Sequence, residues 1–139
     1  MDFKLKLEEK LNTEVLIYIS NDIEKKKFSC HLVILGYYAK NHEECFSLCY
    51  ALRELADEIL IPYIDFSVYK KIQSFRLEGS TKYGDIRFKY LYGCNDISSR
   101  FEDSLIGNTD NCVLITPTTI INKSVLKKSY NNCWSYNYL

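Results

Sequence analysis

The sequence predicts an α+β fold: a single mixed, mainly antiparallel sheet, a principal helix over about residues 42–60 packed on one face, and two shorter helices. Three observations lead there. Two β-branched, apolar runs lie seven residues apart, too close for a parallel crossover and suited to a hairpin. One stretch carries apolar residues at spacings of three and four. Short alternating runs, bounded by turn residues, fill much of the remainder.

The first segment, "FKLKLEEKLN", fits two patterns. Phe3 and Leu5 alternate as in a strand, but Leu5, Glu8, Glu9 and Leu11 suit a short helix, which we adopt. "TEVLIYIS", residues 13–20, is apolar on both faces and reads as a central strand covered on both sides. "NDIEKKK" turns the chain, and "FSCHLVILGYY", residues 28–38, forms the second strand of the hairpin.

"NHEECFSLCYAL", residues 41–52, opens the principal helix. Cys45, Leu48, Cys49, Leu52, Leu55, Ala56 and Ile59 form its apolar stripe. Asn41 suits the N-cap, with Glu44 three residues on as in a capping box. Glu43 and Glu44 meet the positive end of the helix dipole. Pro62 stops the pattern.

Beyond it, "YIDFSVY" sets Ile64, Phe66 and Val68 opposite Asp65 and Ser67, as a half-buried strand would. "KIQSFRL" continues extended after a bulge, and "GSTKYGD" is a turn. "IRFKYLY", residues 86–92, alternates again, with Ile86, Phe88 and Tyr90 inward and Arg87 and Lys89 outward. "NDISSRFEDSLIG" reads as a short helix capped by Asn95 or Asp96 and closed by Gly107. "CVLIT", residues 112–116, is a buried strand, and residues 118–121 suit another. "NKSVLKKSYNN" forms a last amphipathic helix, and "CWSYNYL" an aromatic tail that docks.

A length of 139 residues suits one domain, 1–139, with a core that needs no staples. No run of about 18 apolar residues exists, so no membrane span is encoded. "MDFKLKLEEKLN" lacks the apolar stretch of a secretory signal, which points to the cytosol. Six cysteines in that compartment read as reduced thiols. Net charge is zero but uneven. Residues 1–69 carry 8 Lys and Arg against 12 Asp and Glu, and the remainder 10 against 6. Such polarity steers encounter with a partner.

Candidate chemistry is sparse. His42, Cys45 and Cys49 share one side of a helix, but His42 and Cys49 are separated by roughly 10.5 Å of axis. One zinc ion, with ligands about 2.0–2.3 Å away, does not span that comfortably. Cys30 and His31 point to opposite faces of a strand, so at most one could help. A Cys45 nucleophile would need a base from another element, and His42 sits on the same surface. Asp65, Asp85, Asp96, Glu102 and Asp103 form no strand D-x-D, and no P-loop occurs. In outline, two strands, an acidic helix and "IPYIDF" are similar to small nucleotidyltransferases. Those enzymes carry a glycine-serine turn and two strand aspartates where this chain reads "YIS" and "FSCHL". The likeness therefore implies an inactive relative.

No catalytic group, cofactor or metal is thus expected, and binding another protein is the leading reading. An inhibitor or toxin-neutralising immunity protein, masking its partner by shape and charge, is the working form of it. Its acidic candidates are Glu54, Asp57 and Glu58 on the exposed side of the 42–60 helix. Its aromatic candidates are Tyr90, Tyr92, Trp134 and Tyr136. The terminal run holding Trp134 either packs on its own sheet or supplies a partner patch or homodimer seam. The alternative is a nucleic-acid or nucleotide-binding module built on the basic, Tyr-rich second half. "KKK" at 25–27, Lys70, Lys71, Arg76, Arg87 and Lys89 would supply its cations, with Lys127 and Lys128 beyond and Tyr83 alongside.

Overall fold

The computed structural model describes residues 2–118, and the backbone alone of residues 132–138. Helix α1 (Asp2–Leu11) leads into strands β1 (Val15–Asp22) and β2 (Lys27–Leu35). The short strand β3 (Tyr37–Tyr38) precedes helix α2 (His42–Leu52). Strands β4 (Tyr90–Leu91), β5 (Val113–Leu114) and β6 (Asn132–Tyr138) follow.

β1 and β2 form the expected antiparallel hairpin, in register from Val15↔Ile34 to Asp22↔Lys27. Lys26 takes the left-handed conformation that closes the turn (φ 51°), and its N–H donates to the Ile23 carbonyl at 3.2 Å. The Asp22 carboxylate accepts from the Lys25 N–H at 3.1 Å, as short acidic side chains do in turns. The hairpin is the centre of a four-stranded sheet ordered β4-β1-β2-β6, in which every neighbouring pair is antiparallel. β3 and β5 make a separate parallel pair. Antiparallel strands with two helices give the α+β class read from the sequence, but the single mixed sheet expected is instead two, because the parallel β3-β5 pair stands apart.

Because the pleat alternates, the hairpin buries two sets of side chains. Val15, Ile17, Leu32 and Ile34 join Phe3, Leu7 and Leu11 of α1 and Leu48, Cys49 and Leu52 of α2 in one buried cluster. Leu16, Tyr18, Val33 and Leu35 form a second, with Leu91 packed against it. Fully burying a side chain such as Leu7 or Leu48 stabilises by roughly 1.5–3 kcal/mol.

Several expected elements differ. α2 starts as read, with the Asn41 carboxamide accepting from the Glu44 N–H at 2.8 Å. It ends at Leu52, tightens to a 3-10 turn over Arg53–Leu55 and turns extended at Ala56. Glu54, Asp57 and Glu58 would otherwise crowd the negative end of the dipole. α1 and α2 are then of similar length, 10 and 11 residues, so neither dominates.

The strand read over residues 63–69 is two 3-10 turns, Ile61–Tyr63 and Phe66–Val68. Asp65 caps the second by accepting from the Ser67 N–H at 2.9 Å, which fixes a turn where alternation suggested a strand. Of residues 86–92, Tyr90 and Leu91 are strand, opposite Ile19 and Tyr18, and the Tyr92 N–H donates to the Ile17 carbonyl at 2.7 Å. The helix read after Gly93 is one 3-10 turn, Phe101–Ser104. "CVLIT" is no buried strand: Val113 and Leu114 are exposed and pair only with β3. The strand read over 118–121 and the helix over 122–132 fall outside the described residues, apart from Thr118 and Asn132.

Candidate functional site

Along the hairpin, the face that holds Tyr18 changes from apolar to polar. Cross-strand partners run Leu16–Val33, Tyr18–His31, Ser20–Ser29 and Asp22–Lys27. At the polar end lies a cavity of about 590 Å3, walled by β2 and the irregular segments around residues 73–76 and 82–87. Among the described residues, five cations line it, Lys26, Lys27, Arg76, Lys82 and Arg87, against a single carboxylate, Asp65. Phe28 and Phe75 add aromatic surface.

His31 stands on the wall of this cavity and is only 8% exposed. Burial, reinforced by the charges of Lys89 and Arg76, lowers its pKa to about 3, so its imidazole is neutral at ordinary pH. Its Nδ1 is buried and has no hydrogen-bond partner among the described residues. A buried polar atom left so costs roughly 1–3 kcal/mol.

Arg76 is held by a backbone carbonyl and Arg87 by a carboxylate. Arg76 Nη1 donates to the Arg87 carbonyl at 3.0 Å, which also accepts from the Ser20 hydroxyl at 3.0 Å. Arg87 Nε lies 3.2 Å from Asp85 Oδ2. Hydrogen bonds from Arg87 and Ile86 hold the Asp85 carboxyl below its usual range. Burial first, then the neighbouring Arg87, lowers the Arg76 pKa, a sign of positive charge packed against positive charge. Asp65 accepts from the Ser67 hydroxyl at 2.6 Å and is the only carboxylate on the cavity wall among the described residues. Among the described residues, no group of three or more His, Cys, Asp or Glu is placed to hold a metal ion.

The faces of residues 86–89 are the reverse of the sequence reading. Ile86 and Phe88 are 67% and 44% exposed, and Lys89 only 2%. The Lys89 N–H donates to the Ser80 carbonyl at 3.0 Å, and its carbonyl accepts from the Gly79 N–H at 2.6 Å. Those bonds turn its side chain inward, where the ammonium donates to the Arg76 carbonyl at 2.8 Å. Gly79 permits the close approach: its φ is 77°, and a Cβ there would lie 2.7 Å from Ile97.

The seven residues proposed from sequence to face a partner do not form one patch. Glu54, Asp57 and Glu58 are exposed, but beyond the end of α2, and Asp57 pairs with Lys6 at 3.2 Å. Tyr90 and Tyr92 lie at or beside β4, one edge of the sheet. Trp134 and Tyr136 belong to β6, the other edge, in register with Ile34 and Leu32. From the basic set, Lys26, Lys27, Arg76 and Arg87 converge on the cavity, and Lys70 and Lys71 line an adjoining one. The sequence reading missed Lys82 and His31 as lining residues. The signal available for His31 was a histidine in the apolar stretch of a strand that begins directly after "KKK".

No helix among the described residues is long and apolar enough to cross a membrane. No family model matches the chain, and no solved structure matches it. The chain is similar to a protein named "Putative helicase/primase complex protein" from African swine fever virus. It is 28% identical over 107 residues to the version from isolate Pig/Kenya/KEN-50/1950, and equally so to that from isolate Tick/Malawi/Lil 20-1/1983. The version from isolate Warthog/Namibia/Wart80/1980 is 27% identical over the same length. These are isolates of one virus and count as one relationship. In each, the match covers 75% of this chain and 10% of the relative, so the chain spans about a tenth of the length of the relatives it matches. The relationship overturns the inhibitor and immunity-protein reading, because the relatives are named for a replication complex and not for inhibition or toxin neutralisation. What the chain resembles is one stretch of a long viral protein named for a helicase/primase complex.

Proposed function

We propose that this chain is a module of a DNA-replication protein that holds the phosphate groups of a nucleotide in the cavity beside His31. One observation carries the reading: among the described residues, five cations, a neutral buried histidine whose Nδ1 has no partner there and two phenylalanines line one space. About 590 Å3 is within the range of small-molecule sites, roughly 300–1,000 Å3. Arginine suits phosphate oxygens because its donors form a rigid fork. Phe28 and Phe75 offer faces on which a base can stack. The relatives' name supports the reading, because a helicase/primase complex is a setting in which nucleotides and other proteins are at hand.

A nucleic-acid strand is the second reading, favoured by the adjoining cavity. That space, about 370 Å3, shares Gln73 and Phe75 with the first and adds Lys70 and Lys71. Two joined cationic spaces suit a chain of phosphates as well as a single nucleotide.

Titration calorimetry with a nucleoside triphosphate in low salt tests the proposal. A hydrogen bond to a charged group is worth about 1.5–3 kcal/mol, so an Arg76→Ala/Lys82→Ala pair should weaken binding at least about tenfold. Equal affinity in the pair and the wild type would overturn the assignment.

A further inference from the structure

Lys89 does not line the cavity; it is buried behind the Arg76 segment. Its ammonium donates to the Arg76 carbonyl at 2.8 Å and sits 5.3 Å from the centre of the Tyr18 ring. Its main chain is bonded to Ser80 and Gly79, so residues 76–80 are tied to it at both backbone and side chain. Burying an ammonium is costly unless another group offsets it. The nearby carboxylate, Glu78, is bonded instead by Ser98, from its N–H at 2.9 Å and its hydroxyl at 3.0 Å. Burial, then the Arg76 charge, lowers the Lys89 pKa to about 8, with Glu78 opposing. The protein thus keeps a cation where folding alone disfavours it, and such groups concentrate at functional sites.

We infer that Lys89 is a positioning residue of the nucleotide site: its ammonium fixes the Arg76 backbone and adds positive potential where phosphate binds. The inference rests on the reading of the cavity as a phosphate site. Bound phosphate draws the Lys89 proton on more tightly, and loss of that proton weakens binding. Affinity therefore falls as pH rises through about 8. Three groups facing Lys89, namely Tyr18, His31 and Arg76, keep their charge state across this range. Tyr18 on β1 is kept neutral, since burial raises its pKa, and His31 on β2 is already neutral. Arg76 remains a cation. Glu78 completes the set as the carboxylate.

Lys89→Met and Lys89→Arg, with triphosphate affinity measured from pH 7.5 to 9.5, test the inference. Lys89→Met leaves the Arg76 carbonyl without its donor and should melt lower than the wild type. At a temperature where it stays folded, it should bind about tenfold more weakly at pH 7. The wild type should lose affinity towards pH 9.5, while Lys89→Met shows no such fall and Lys89→Arg holds wild-type affinity throughout. Wild-type affinity in Lys89→Met, or a fall in Lys89→Arg matching the wild type, would overturn the role of Lys89. Undiminished binding in Arg76→Ala/Lys82→Ala would instead remove the site itself, and the role of Lys89 with it.

Discussion

The imidazole of His31 and the ring of Phe75 meet edge to face, with centroids 5.8 Å apart and planes at 87°. This contact joins the central hairpin to a segment that has no ladder of its own. The pair adds to the bonds that Arg76 makes with Arg87 and Lys89 in holding the cavity wall.

Phe75→Ala should loosen that wall. The pair itself is worth about 0.5–1.5 kcal/mol beyond area burial, and part of the ring remains wet. A loss of about 1–2 kcal/mol by urea unfolding is expected, together with weaker triphosphate binding. Unchanged stability and affinity would show that the segment is held by other contacts.

His31 makes stability depend on acid. Its folded pKa of about 3 lies below the ordinary 6.5, so the unfolded chain binds more protons between those values. Stability is complete above pH 6.5 and is lost as pH falls towards 3, with a slope approaching about 1.4 kcal/mol per pH unit. His31→Phe should flatten that part of the profile. An identical slope in the variant would show that other groups carry it.

Asn41→Ala removes the side-chain oxygen that accepts from the Glu44 N–H. The expected cost is about 1 kcal/mol, read as a lower urea midpoint with unchanged slope. Triphosphate affinity should stay as in the wild type, since Asn41 lines only the adjoining cavity.

The parts legible in the sequence were those with strong local signals. The hairpin was marked by two apolar β-branched runs with a polar turn between them, and the start of α2 by Asn41 and Glu44. Residues 63–69 and 86–92 were misread because alternation also arises where irregular chain is half-buried. There Asp65 and Lys89 chose side-chain bonds to the backbone over a ladder. Lys89 is the sharpest case, because its long apolar stem lets a cation lie inside while Phe88 lies out. The cavity was only half visible. Lys26, Lys27, Arg76 and Arg87 stood out as basic residues, but their convergence is set by tertiary packing. The sequence offers His31 only as a metal donor; that it is neutral, and that its Nδ1 has no partner among the described residues, follows from burial that no local pattern announces.

The central claim is that phosphate binds in the cavity beside His31. Mapping amide chemical shifts by NMR during a nucleoside triphosphate titration tests it most directly. The account predicts that the saturating changes cluster at Lys27–Ser29, His31, Phe75–Arg76, Lys82 and Arg87. Changes confined to α2 and residues 57–63, or none at millimolar ligand, would contradict it.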